Sequence, residues 1–189
     1  MSRLDFIYID LEATGLDHDT LRIVEVAAVG VTKEYDELFT VNEVVKLEPG
    51  TVWAPAAYKM AEANGLIKDL ATATRSIRDV ELMILSGLDE FDATEVILGG
   101  SGVSHFDHRA IENHMPELHS RLRYFTDDIG QDRRSYARAV GKDLVDANDR
   151  KTHRAYDDVQ CHLAEARAFR AFYQRAARLI AEDDERRAA

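Results

Sequence analysis

Two carboxylates stand two residues apart at the end of a short apolar run, Asp10 and Glu12 in Ile9-Asp10-Leu11-Glu12. Successive side chains of a strand point to opposite faces, so both acids emerge on one side. At about 4 Å and an effective dielectric near 20, their repulsion costs roughly 4 kcal/mol before screening. A strand end fraying into water would dissipate that cost, and Asp-x-Glu alone carries no further meaning. Three other residues change its weight. Asp107 opens a helical stretch just after a glycine-rich strand end, where ligand sites gather in α/β sheets. Asp158 falls in the first turn of the last helical stretch, and His153 precedes it by five residues. An acid at a helix start favours the helix dipole, which explains Asp107 and Asp158 singly but not the set. Four converging acids repel one another unless cations lie among them, and hard oxygen donors suit Mg²⁺ or Mn²⁺. A pair of such ions stabilises both the attacking and the leaving oxygen in phosphodiester cleavage. Imidazoles titrate near neutral pH, so His153 would take the proton of an attacking water.

Those residues need a scaffold. Leu4 to Leu11 alternates and is rich in Ile and aromatics, which predicts a strand ended by Gly15. Arg22 to Thr32 and Glu37 to about Leu47 follow as further strands with short turns between, an antiparallel meander. Pro49-Gly50 breaks the pattern, and Ala54 to Ala63 predicts a short helix closed by Asn64-Gly65. From Ser76, a plausible cap, Ile77, Val80, Ile84, Leu88 and Phe91 fall on one helical face. A short strand from Glu95 to Leu98 leads into Gly99-Gly100-Ser101-Gly102, read as a turn that gives the site backbone clearance. Helix is expected over Asp107 to Met115, stopping at Pro116. A fifth strand is expected over Tyr124 to Ile129, then helix from about Asp132 to Val140. The last helix, about Tyr156 to Ala181, carries an apolar stripe of Val159, Leu163, Ala166, Phe169, Tyr173, Ala176 and Ile180. The expectation is one α/β domain spanning residues 1–189, with no repeat and no interdomain linker.

Composition narrows the partners. At 189 residues, 46 % hydrophobic and 31 % charged, the chain reads as a soluble globular protein able to bury a real core. No apolar run approaches the roughly 20 residues of a membrane span, and the start Met1-Ser2-Arg3-Leu4-Asp5 lacks the apolar core of a signal peptide. A single cysteine, Cys161, permits no internal disulfide, so a cytoplasmic protein is expected. The net charge of −11 runs against proteins that track long nucleic acid, whose affinity comes from neutralising phosphates. Either the chain binds no nucleic acid, or it takes a short piece through cations held in a local acidic site. The run Glu182-Asp183-Asp184-Glu185 reads as a solvated helix end.

Other arrangements carry less. His105, His108, His114, His119, Cys161 and His162 lack the compact spacing of a zinc site, and Cys161 has no thiol partner. No Gly-Lys-Ser/Thr follows the glycine run, which excludes a phosphate-binding P-loop. Arg133, Arg134 and Arg138 form the nearest approach to a basic patch, for phosphate or for Asp127 and Asp128.

Three ordered segments resemble a known family. Asp10-Leu11-Glu12-Ala13-Thr14-Gly15-Leu16 is similar to the first motif of the DEDD exonuclease superfamily, and Gly102-Val103-Ser104-His105-Phe106-Asp107 to the second. His153-Arg154-Ala155-Tyr156-Asp157-Asp158 resembles the third in its histidine-bearing DEDDh form. Asp107-His108-Arg109-Ala110-Ile111 and His114-Met115-Pro116-Glu117-Leu118 look most like the oligoribonucleases, and the likeness spans nearly the whole chain. It implies an RNase H-like α/β fold, a mixed five-stranded sheet flanked by helices, two divalent ions (Mg²⁺ or Mn²⁺), and nucleotide release from the 3′ ends of short single-stranded RNA or short DNA. Carried over by motif, Asp10, Glu12, Asp107 and Asp158 would hold metal and His153 would be the base, while Asp157 is not the matched ligand. Thr14, Gly15 and Leu16 would contact substrate, with Leu16 wedged at the terminal bases. Tyr124 matches a tyrosine that reaches a partner subunit's site, which implies a homodimer. Phe125-Thr126-Asp127-Asp128-Ile129-Gly130 departs from the family by lacking its phosphate-capping serine, so strict dinucleotide preference is not implied. Trp53 and Tyr58 are the candidates for the base-stacking aromatic. Two other functions fit the residues less well: an end-trimming or proofreading exonuclease on longer DNA, and a catalytically inactive acidic dimeric binding module.

Overall fold

The computed structural model describes residues 3–145 and 152–188. Three strands come first: β1 (Phe6–Ala13), β2 (Ile23–Val31) and β3 (Glu37–Val44). Helices α1 (Pro55–Ala63), α2 (Leu66–Leu70) and α3 (Ile77–Glu90) follow, then β4 (Val96–Gly100). The chain continues through α4 (Asp107–His114), α5 (Pro116–His119), β5 (Leu122–Asp128), α6 (Ile129–Val140) and α7 (Ala155–Ala188). The five strands form one sheet in the order β3-β2-β1-β4-β5. β1, β2 and β3 are mutually antiparallel, whereas β4 runs parallel to β1 and β5 parallel to β4. This is the mixed sheet flanked by helices that the sequence predicts.

Strand alternation divides the core in two. Ile7, Ile9 and Leu11 of β1 pack under Val80, Ile84 and Leu88 of α3 and Ala110 and Ile111 of α4. Tyr8 of β1, with Ala27, Val29 and Val31 of β2, packs under Val159, Leu163, Ala166 and Phe169 of α7. Each fully buried side chain of this kind contributes about 1.5–3 kcal/mol, so the register is strongly specified. Even-numbered residues of β1 therefore face α7, and that parity carries Asp10 and Glu12 to the face where α7 begins. Ser76 caps α3 with a reciprocal capping box: its Oγ accepts the Asp79 N–H at 3.2 Å, and its own N–H donates to Asp79 Oδ2 at 2.7 Å.

Several elements depart from the sequence expectation. Gly99 and Gly100 belong to β4 rather than to a turn. A Cβ on Gly99 would lie 2.3 Å from the Tyr8 ring, so the missing side chain makes room for that ring and not for the acidic site. Two short helices, α2 and α5, were not expected; at 5 and 4 residues they show no full period of apolar spacing. α6 starts at Ile129, capped by Asp128, whose side chain accepts the Gln131 N–H. The stripe on α7 is buried only as far as Phe169. With 34 residues, α7 outruns the sheet, and Tyr173, Leu179 and Ile180 are exposed. No helix among the described residues is long and apolar enough to cross a membrane.

Candidate active site

Four elements deliver the side chains. Glu12 lies at the end of β1, opposite Glu25 of β2, just before the pairing register shifts between Glu12 and Ala13. Asp10 stands two residues earlier on the same strand face. Asp158 lies in the first turn of α7, buried although charged. His153 precedes that helix with φ +53°, its side chain exposed. One ligand atom from each of Glu12, His153 and Asp158 can be chosen so that all three lie within 4.8 Å of one another, the one such group of three or more among the described residues. Asp107 is buried at the start of α4 and its carboxylate accepts the Leu11 N–H, which fixes it against β1 between the two acids of that strand. Its charge bears on Glu12, though it is not part of the compact trio, and neither is Asp10.

The electrostatics follow from burial. Glu12 is pushed up to about 8, first by desolvation and then by the charges of Asp158, Glu25 and Asp107, with Arg154 opposing. Asp107 is pushed up to about 7 by desolvation, against which its own and the Leu11 N–H groups pull. Two carboxyls are thus held from full ionisation at neutral pH. Closely spaced carboxylate oxygens that burial and mutual repulsion disfavour in the charged form are what a hard divalent cation relieves, so these residues fit such an ion. The histidines elsewhere form no comparable group: His108 and His119 pack ring against ring at 4.9 Å without a third ligand among the described residues.

A second layer was not recognised in the sequence. Glu25, 2 % exposed, accepts from Arg154 Nη2 at 2.8 Å and Nε at 3.0 Å, and from the Ala155 N–H at 3.1 Å. Arg154 also reaches Asp69 of α2 at 2.9 Å. The Asn64 side chain donates to the His153 carbonyl and accepts the Leu66 N–H at 3.1 Å. One signal was available: Glu25 is the single charge within the β2 run Ile-Val-Glu-Val-Ala-Ala-Val-Gly-Val. Asp157 instead accepts from the Thr152 hydroxyl at 2.8 Å.

The expected substrate contacts fall in two places. Thr14 is buried, and its Oγ1 accepts the Arg22 N–H at 2.9 Å. A Cβ on Gly15 would lie 3.2 Å from the Ala54 Cβ, so this loop packs closely on α1. Leu16, 82 % exposed, stands over a groove of roughly 790 Å³ whose other wall includes Trp53. Trp53 meets Tyr58 edge-on at 5.9 Å. Tyr124, 95 % exposed on the edge strand β5, lines a separate cleft of roughly 590 Å³ with Phe125, Asp127 and Asp128. Within one chain the two do not share a cleft. Asp127 accepts from the Tyr8 and Tyr35 hydroxyls, and Asp128 from the Gly102 N–H, so neither pairs with Arg133. Arg133 is spent on buried Glu165, which removes it from the expected basic patch.

Comparison with known proteins agrees with this geometry. The RNase_T family model, described as an exonuclease, matches residues 7–166. A protein named oligoribonuclease from Actinobacillus pleuropneumoniae is 30 % identical over 185 residues, covering 92 % of this chain and 97 % of that protein. One of the same name from Haemophilus ducreyi is 27 % identical over 169 residues, covering 87 % and 91 %. Among solved structures, a zinc-bound complex of Escherichia coli exonuclease I with single-stranded DNA superposes with a TM-score of 0.70 at 17 % identity. That match covers 92 % of this chain but 42 % of the other, so the likeness is one of fold.

Proposed function

Because the chain belongs to the RNase_T exonuclease family, we propose that it is a metal-dependent 3′→5′ exonuclease of the DEDDh type acting on short RNA, with short DNA as a second substrate class. The observation that carries this reading is the compact trio of Glu12, Asp158 and exposed His153, whose ligand atoms can all lie within 4.8 Å of one another, with buried Asp107 beside it. Asp10, Glu12, Asp107 and Asp158 would hold two ions, Mg²⁺ or Mn²⁺. Bound there, divalent ions would offset charge on the scissile phosphate and ease ionisation of the attacking water. His153, exposed at the rim, receives that water's proton. Leu16 abuts the terminal base from the groove. Tyr124 reaches the site of a second copy, since its own cleft is separate, and the active form is a homodimer of single-domain chains of residues 1–189. A single cysteine, which permits no internal disulfide, suits a cytoplasmic enzyme.

The charge of −11 favours short substrates, which suffer less repulsion than long polyanions. The likeness in fold to an exonuclease bound to single-stranded DNA motivates the rival reading, trimming of longer DNA. RNA and DNA of two to thirty nucleotides, labelled at either end and incubated with Mn²⁺, separate the two. Mononucleotides released from the 3′ end, fastest for the shortest RNA, are expected. Faster digestion of long DNA would favour the rival, and 5′-end release would exclude both.

A further inference from the structure

The His153 imidazole is exposed, yet one of its nitrogens must stay within reach of Glu12 and Asp158. Its φ of +53° lies in the left-handed region, which side chains with a Cβ rarely adopt, so surrounding contacts have to hold it there. Those contacts act on the backbone from both sides. The Asn64 side chain donates to the His153 carbonyl, and Glu25 accepts the N–H of Ala155, two residues on. Between them Arg154 is locked to Glu25 at 2.8 Å and to Asp69 at 2.9 Å. Asn64 cannot easily turn away, because its Oδ1 accepts the Leu66 N–H across the α1–α2 corner.

We propose that Asn64, Glu25 and Arg154 are positioning residues for proton transfer, clamping the backbone around His153 so that its ring is aimed at the site. The proposal rests on His153 being the base. It makes the α1–α2 corner and the buried strand β2 part of the catalytic apparatus, although neither carries a metal-binding acid. Residues that orient a reacting group typically change rate by about 10–100-fold when lost, because small displacements weigh heavily on proton transfer.

Three variants test it: Asn64→Ala, which removes one clamp at the surface; Glu25→Gln, which keeps an acceptor for the Ala155 N–H but loses the Arg154 ion pair; and His153→Ala. In Asn64→Ala, kcat should fall about tenfold while KM and Mn²⁺ binding, measured by calorimetry, stay unchanged. In protein labelled with ¹³C-histidine, the His153 Cε1 resonance should shift or broaden in Asn64→Ala without metal or substrate present. Glu25→Gln should lose turnover in the same way if it folds; Asn64→Ala decides the matter if it does not. Turnover within twofold of wild type in Asn64→Ala, beside a severe loss in His153→Ala, would overturn the clamp and leave the base assignment standing. Wild-type turnover in His153→Ala would overturn both.

Discussion

Buried carboxylates occur in two regions of this molecule, and they are treated oppositely. Glu81, between α3 and α5, accepts from Arg78 at 2.6 Å and from the backbone N–H groups of Glu117 and Leu118 at 2.7 and 3.0 Å. Glu165 of α7 takes both arms of Arg133. Each of these acids has a cation and directed donors of its own. At the end of β1 the pattern reverses: half-buried Glu12 and buried Asp107 stand beside further acids and are pushed up to about 8 and about 7. Titratable groups whose ionisation is shifted this far by burial and by one another are the mark of a functional cluster rather than of a structural ion pair. Glu25 stands at the boundary, opposite Glu12 in the sheet yet fully paired with Arg154.

Swapping the two treatments should break the proteins in different ways. The largest effect is expected at the β1 cluster: Asp158→Asn should abolish 3′-end cleavage while circular dichroism and the melting transition stay those of a folded protein. Next comes Glu81→Ala, which leaves the Glu117 and Leu118 N–H groups without their acceptor, while Arg78 keeps Glu117 at 2.7 Å. It should destabilise the fold by about 1–3 kcal/mol for each buried donor left unsatisfied, read by urea unfolding, yet leave turnover per folded molecule unchanged. An inactive but stable Glu81→Ala, or an unfolded Asp158→Asn, would erase the distinction.

The pH dependence sharpens it. In metal-free protein the folded-state value of Glu12 lies above its ordinary value of 4.5, so its contribution to stability is fully present below about pH 4.5 and is lost as pH rises through about 8. Glu12→Gln, melted in EDTA, should therefore match wild type near pH 5 and exceed it at pH 9. Partial solvation of the carboxyl limits the gain to roughly 2 kcal/mol, a shift of a few degrees. Parallel melting curves across that range would count against an undercompensated site. The smallest effect is expected at the rim. Tyr124→Ala should raise KM for two- to five-residue RNA by an amount corresponding to about 1–3 kcal/mol of stacking, with Mn²⁺ binding unaffected.

What the sequence revealed followed period and type. Alternation placed β1 and hence the shared face of Asp10 and Glu12; helical spacing placed α3 and the buried half of α7; three motifs pointed to the family. What it hid was long-range. Arg154 is adjacent to His153 in sequence, but its partner Glu25 is 129 residues away, a pairing that no local pattern encodes. Arg133 could have met Asp127, Asp128 or a phosphate by charge alone, and only the packing of α6 on α7 gives it to Glu165. The Tyr173–Ile180 half of α7 keeps its apolar spacing with no sheet beneath it, because period reports a face and not what covers it.

The central claim is that external cations complete the β1 cluster, and a thermal titration tests it most directly. Purified protein at pH 8 would be melted with increasing Mn²⁺ or Mg²⁺, beside Glu12→Gln and Glu81→Gln. Wild type and Glu81→Gln should rise in melting temperature with metal, by about 2.7 kcal/mol of added stability at a hundred times the dissociation constant, and Glu12→Gln should rise much less. A wild-type melting temperature that ignores the metal, or a Glu12→Gln response equal to wild type, would contradict the account.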